Sequence, residues 1–257
     1  MDKIRTFFAT HFCGNMCSTE CFEQMVSHLS YDETEICKIE VATRGQYLNK
    51  TWYDARTGLL TASNFRLFCH CTDGSKTAAD ALQGSKLNEQ FLPAPVKYGR
   101  DNEEKARQLF LKSHRYHHRA CSLLVPGFNI SSAIPFLGCS ADGVITCKQC
   151  GKFLIEVKCM WSKRKFHPRV GAVMSGICDK DKDGQLVLKA NHKYYYQIQG
   201  QVAITGVLKA FLVLFINKAI ESGPVECNAD FWESCTERLS SVYRDVLCTE
   251  RKFNCKC

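Results

Sequence analysis

Glu156 and Lys158 stand two residues apart in FLIEVKCM (153–160), a stretch with β-branched and aromatic residues and no glycine or proline. A strand alternates its side chains, so Leu154, Glu156 and Lys158 share one face while Phe153, Ile155, Val157 and Cys159 share the other. Fourteen positions upstream of Glu156, Asp142 lies in CSADGVI, and CKQCGK between them supplies a turn that can fold two strands into a hairpin. The hairpin would bring both carboxylates to one end of a sheet. Two ionised carboxylates about 4 Å apart repel by roughly 4 kcal/mol at an effective dielectric near 20, so they need a cation between them. An all-oxygen site with few ligands and room for water suits Mg²⁺ or Mn²⁺. Lys158, projecting from the same face as Glu156, can then orient the attacking water, and the combination describes phosphodiester hydrolysis. The competing reading is an ordinary ion pair on an exposed sheet face.

A third carboxylate comes from YGRDNEEKARQLF, where Ala106, Leu109 and Phe110 mark a buried helical stripe and Glu103 falls at its edge, with Glu104 pointing farther out. Glu103 can complete the metal shell. It can equally serve as a glutamate near a helix start, favoured by the macrodipole.

The elements that must hold these residues follow from periodicity. A helix is expected from about Thr61 in LLTASNFRLF and a second over NEEKARQLFLK, then strand-like CSLLV and IPFLGCSADGVI, then FLIEVKCM. A further helix is expected in YYYQIQGQVAITG, a very apolar strand in AFLVLFIN and a closing amphipathic helix in FWESCTERLSSVYRDVL. This order predicts an α/β class, with a central mixed β-sheet flanked by helices. Without repeats or a long linker, residues 45–257 read as one domain. Residues 1–44, with Cys13, Cys17, Cys21 and Cys37 and a helical pattern around CFEQMVSHL, read as a cysteine-containing helical appendage.

The chain is 45% apolar, enough for a sizeable core, yet has no run fit to span a bilayer, so no membrane partner is expected. Its amino terminus lacks a clean apolar run before a small-residue cleavage site, which predicts an intracellular protein, nuclear or cytoplasmic. Seventeen cysteines, an odd count in a long chain without an export signal, are expected mostly as reduced thiols. A net charge of +8, from 34 Lys and Arg against 26 Asp and Glu, is compatible with a polyanionic partner but weak as a signal.

In order, YGRDNEEKARQLF, CSADG, IEVKC and YYYQIQ resemble the YqaJ-type viral recombinase family, lambda-exonuclease-like members of the PD-(D/E)xK nuclease superfamily, over about residues 50–215. The resemblance implies a restriction-endonuclease-like core, with Glu103, Asp142 and Glu156 as metal ligands joined by the carbonyl of Val157. It also implies Lys158 as the catalytic lysine and Gln197 as the helix glutamine. Gln197 suits that place physically, since it shares a helix face with Tyr194 and Gln201 and a neutral amide can orient a lysine or a phosphate without competing for metal. Gln199, on another face, is the second choice. Upstream, WYDARTGLLTASNF resembles the family segment that holds a terminal 5′-phosphate, implying contacts from Arg56 and Ser63. Without the family these two read as a surface cation and a helix-start residue. The resemblance departs in two places: Ala141 stands where a proline often precedes the aspartate, and a CxxC lies between Asp142 and Glu156.

That CxxC, Cys147 and Cys150, has the spacing of half a structural Zn²⁺ site; histidines or the N-terminal cysteines would have to complete it, and otherwise it is a thiol-bearing hairpin tip. An iron–sulfur cluster would need Cys248, Cys255 and Cys257 with a distant partner. DKDKDG (179–184) imitates a calcium loop but has Ala190 where the final glutamate is required, so a polar turn is expected. HRYHHR (114–119) reads as exposed basic residues between a helix and a strand, within reach of a DNA backbone.

These readings converge on a Mg²⁺- or Mn²⁺-dependent deoxyribonuclease using two ions. The resemblance implies a 5′-to-3′ exonuclease acting on linear duplex ends in viral or mobile-element recombination, with a ring-like trimer and a single-strand annealing protein as family-type partners. The rivals are a structure- or sequence-specific endonuclease of the same superfamily and an inactive DNA-binding module. The complete acidic set argues against the last, because clustered carboxylates repel phosphate.

Overall fold

A computed structural model of the chain describes residues 3, 19–71, 76–83, 92–118 and 120–249. The chain divides into two compact units.

The first unit comprises Met1–Ser85, Gly127–Ser140 and Asn228–Cys257. It contains helices α1 (Thr19–His28), α2 (Glu33–Ala42), α3 (Lys50–Arg56), α4 (Phe65–His70), α5 (Lys76–Gln83) and the closing helix α9 (Ala229–Thr249). Strands β1 (Leu60–Thr61), β3 (Asn129–Ile130) and β4 (Leu137–Cys139) form a small sheet in the order β1-β4-β3. The helix expected from Thr61 starts later, because Thr61 ends β1 and a 3₁₀ turn, Ala62–Asn64, precedes α4. Phe136 and Tyr243 stack at 4.5 Å in this unit, and the buried Tyr243 hydroxyl donates to the Gly58 carbonyl at 2.8 Å.

The second unit, Lys86–Pro126 with Ala141–Cys227, holds the sheet that the sequence predicts. Its strands are β2 (Cys121–Leu124), β5 (Gly143–Cys147), β6 (Gly151–Cys159), β9 (Lys209–Ile216) and β10 (Ala219–Glu226), in the order β10-β9-β6-β5-β2. The β6–β9 pair is parallel and the others are antiparallel, so the sheet is mixed. Helix α6 (Ala94–His117) places Ala106, Phe110 and Leu111 in one core with Ile145, Phe153, Ile155, Val157, Val213 and Phe215. On the opposite face, Ile198 and Val202 of helix α8 (Lys193–Thr205) pack in a second core with Leu154, Ala210, Leu212 and Leu214. Helix α7 (Pro168–Met174) and the hairpin β7 (Cys178–Lys180) and β8 (Leu186–Leu188) complete the unit. This is the helix-flanked α/β architecture read from the sequence.

Several elements depart from expectation. IPFLGCSADGVI is split between β4 and β5, with Ser140, Ala141 and Asp142 between them. Helix α6 runs through His117, so the first four residues of HRYHHR are helical rather than a connecting loop. Within DKDKDG, Asp179 and Lys180 end β7, and the turn itself is held by Asp181 Oδ1, which accepts from the Asp183 and Gln185 amides. Strand β10 escapes the sequence reading because Gly223 and Pro224 look like breakers. It is an edge strand, where proline costs no ladder bond, and a Cβ on Gly223 would stand 2.7 Å from the Leu186 carbonyl oxygen.

Candidate active site

The pleat of β6 separates its residues as expected: Ile155 and Val157 enter the α6-side core, and Leu154 enters the α8-side core. Glu156 therefore points toward α8 and is only 1% exposed, which removes the reading of an exposed surface pair. A buried carboxylate requires partners, and three are present. Gln197 Nε2 and Lys158 Nζ donate to Glu156 Oε1 at 2.6 and 2.5 Å, while Gln201 Nε2 donates to Oε2 at 2.7 Å. Gln197 and Gln201 are one helical turn apart, so α8 presents both amides to the same strand residue. Gln199, on another face, donates to the Glu226 carbonyl at 2.8 Å.

The β5–β6 hairpin supplies the second carboxylate. Its antiparallel register sets Gly143 opposite Ile155, and the Val157 amide donates to Asp142 Oδ2 at 2.6 Å. Asp142 Oδ1 makes no hydrogen bond among the described residues, leaving an oxygen for a further ligand. Burial, followed by the neighbouring Glu156 and Glu103 charges, pushes the Asp142 carboxyl well above its ordinary range. The Glu103 carboxyl is raised as well, chiefly by burial, even though Arg107 pairs with it one turn along α6. Arg107 also bonds Glu104 at 2.8 Å and reaches the Asp142 carbonyl at 3.4 Å.

Lys158 shows the opposite balance. Burial works against its charge, but Glu156, Asp142 and Tyr194 outweigh burial and raise its pKa, so it is a cation across the physiological range. Its ammonium lies 4.8 Å from the centroid of the Tyr194 ring. Glu103, Asp142, Glu156 and Lys158 thus form one electrostatically coupled group within the second unit. A divalent cation fits this donor set: three carboxylates gathered around one ammonium, with the carboxyls of Asp142 and Glu103 raised and one open oxygen on Asp142.

The family model described as "YqaJ-like viral recombinase domain" matches residues 51–208. The chain belongs to that family. No curated protein matches it. Among solved structures, this YqaJ-like chain is similar to LHK-Exo, an alkaline exonuclease from Laribacter hongkongensis, in complex with dAMP (TM-score 0.57, 18% identity, 77% of this chain and 92% of that one). It is also similar to the Shutoff and Exonuclease Protein of Kaposi's sarcoma-associated herpesvirus (TM-score 0.56, 14% identity, 96% of this chain and 80% of that one). A SOX–DNA complex aligns at TM-score 0.55 and 13% identity, over 98% of this chain and 80% of that one. At these identities the likeness is one of fold.

The remaining candidates of the YqaJ-like chain occupy other places. Arg56 closes α3 with its guanidinium 3.8 Å from the centroid of the Trp52 ring, and burial holds its pKa down to about 10. Trp52 is itself fixed by Nε1 donating to Ser140 Oγ at 2.9 Å. Ser63 is exposed in the 3₁₀ turn, its hydroxyl 3.2 Å from that of Thr61. Both lie in the first unit. Val157 belongs to the constellation through its backbone, since its side chain is in the core. Cys147 and Cys150 sit at the β5–β6 tip, with Cys147 buried and Cys150 exposed.

Sequence reasoning assigned no role to Gln201 or Arg107. Each had a local signal: Gln201 is four residues after Gln197, and Arg107 four after Glu103, the spacing at which helical side chains meet.

Proposed function

We propose that this YqaJ-like chain is a metal-dependent deoxyribonuclease that hydrolyses linear duplex DNA from 5′-phosphorylated ends, in the 5′-to-3′ direction. The observation that carries the reading is the ion pair of buried Glu156 and half-buried Lys158 set among Asp142 and Glu103, a costly arrangement for a surface with no chemistry to perform. In this reading residues 45–257 form the nuclease domain and 1–44 an appendage. The exonuclease names and the DNA complex among proteins of the same fold support DNA as substrate.

Glu103, Asp142 and Glu156, with the Val157 carbonyl, would hold Mg²⁺ or Mn²⁺, singly or as a pair. A divalent cation there supplies Lewis-acid polarisation of the phosphate and makes water more acidic. The protein's own groups do the positioning. Lys158, kept protonated by its carboxylate neighbours, aims its ammonium at the attacking water and at negative charge growing on the phosphoryl oxygens. Gln197 and Gln201 fix the Glu156 carboxylate, and Arg107 fixes that of Glu103. Arg56, oriented by Trp52, and Ser63 receive the terminal 5′-phosphate, which selects strand ends.

The test is digestion of end-labelled, 5′-phosphorylated duplex with Mg²⁺ or Mn²⁺. Wild-type protein should release nucleotides progressively, chelator should stop it, and Glu156→Ala or Lys158→Ala should lower the rate by at least about 10²-fold. Undiminished rates in both variants would sink the catalytic assignment. Covalently closed circles should survive; their cleavage would instead identify an endonuclease.

A further inference from the structure

A second group of ligating side chains lies in the same unit, where the carboxyl end of α6 meets the β5–β6 hairpin tip. His114 and His118 stand four positions apart at the end of α6, and Cys147 and Cys150 flank the turn before Gly151. One donor atom from each of the four lies within 4.8 Å of every other. His114 Nε2 is 3.3 Å from Cys150 Sγ, and the two imidazoles stack at 4.4 Å with their planes 9° apart. Among the described residues, His118 Nδ1 is buried and has no hydrogen-bond partner, although a buried ring nitrogen ordinarily finds one.

Four donors of this kind suit one ion. Zinc bonds of about 2.0–2.1 Å to nitrogen and 2.3 Å to sulfur require tetrahedral donors roughly 3.3–3.8 Å apart, so no donor pair has to close by more than about 1.5 Å to complete the shell. Two thiolates exclude Mg²⁺ and Ca²⁺, and a tetrahedral S₂N₂ set favours Zn²⁺. With four protein ligands no position remains for substrate, which makes the site structural. Its position gives it work to do: Glu103 lies eleven residues before His114 on α6, while Asp142 and Glu156 belong to the hairpin segment that carries the two cysteines.

We propose that His114, His118, Cys147 and Cys150 bind one structural Zn²⁺ that clamps the end of α6 to the β5–β6 hairpin. Binding displaces the two thiol protons.

Full-length chain purified without chelator from zinc-supplemented medium should carry about one zinc per chain by elemental analysis. The metal should be lost in Cys147→Ser, Cys150→Ser and His114→Ala and kept in Cys227→Ser, a change at an exposed cysteine of the same unit. Because a core-facing variant can fail to fold, Cys150→Ser, altered at an exposed position, is checked by circular dichroism. The wild-type chain is also loaded with Co²⁺: intense visible d–d bands and thiolate charge transfer are expected, and Cys150→Ser should lose or sharply weaken them. Chelation should lower Tm in wild type more than in Cys150→Ser. A chain without zinc, zinc retained in full by the Cys147→Ser/Cys150→Ser double variant, or a Cys147–Cys150 disulfide in the chain as purified would each overturn the proposal.

Discussion

Glu156 and Lys158 show how a residue's meaning depends on what surrounds it. The same two residues on an open strand would contribute little, but here the carboxylate is buried and bonded by two amides and an ammonium. Asp142 and Glu103 carry the electrostatic strain of that crowding. Their carboxyls are raised, so in chelator the folded chain keeps protons that the unfolded chain releases. Their contribution therefore favours folding below the ordinary carboxylate range near pH 4 and is lost as pH rises through the raised values. Asp142→Asn removes most of this dependence: its Tm relative to wild type, followed by circular dichroism in chelator, should rise with pH. Mg²⁺ should raise the wild-type Tm most at the upper end of that range, where a cation replaces the departed protons. A Tm difference that is constant with pH would show that Asp142 ionises freely. From sequence alone Glu103, Asp142, Glu156 and Lys158 could be named, since types and spacing carry them, while Gln197 entered only through the family resemblance. Arg107 and Gln201 went unassigned because helical neighbours at four-residue spacing occur everywhere and only packing shows which pairs meet a charge.

The β5–β6 hairpin and the two helices against it set the geometry. Leu154 and Val157, facing opposite ways, seat β6 between two cores, which holds Glu156 at a fixed height. Gly143, next to Asp142, lies where a Cβ would meet Leu123 Cδ1 at 2.7 Å and Ile155 Cγ1 at 2.8 Å. Gly143→Val should cost about 1–3 kcal/mol in urea unfolding, through overpacking, while Thr146→Val at an exposed position of the same strand should change stability by less than about 0.5 kcal/mol. Equal stability of the two variants would mean that the hairpin yields where close packing says it cannot. Strands β6 and β9 and helix α8 were legible because their apolar patterns are long. Strand β10 was not, because breakers tolerated at a sheet edge look the same in sequence as breakers in a loop. HRYHHR was misread for a related reason: polarity suggested a connection, whereas α6 continues and turns His114 and His118 toward CKQC.

For the whole molecule, a charge of +8 and two compact units frame how DNA would be engaged. Binding to duplex should weaken steeply between about 50 and 200 mM salt as counterions are retaken by the phosphates. If Arg56 receives the end, Arg56→Ala should reduce the preference for 5′-phosphate over 5′-hydroxyl ends by roughly 10- to 100-fold, the loss of one charge-assisted contact. Competition between the two labelled substrates measures it; an unchanged preference would assign end recognition elsewhere. By itself the sequence determined the α/β class, the order of the main elements and the carboxylate–lysine set, because alternation, helical period and motif order are local properties of a chain. Only the tertiary structure decided that Glu156 is buried, that two α8 amides hold it, and that histidines at the end of α6 meet the CxxC. Those facts depend on which faces pack together, and burial and long-range pairing arise only when the sheet and its helices are assembled.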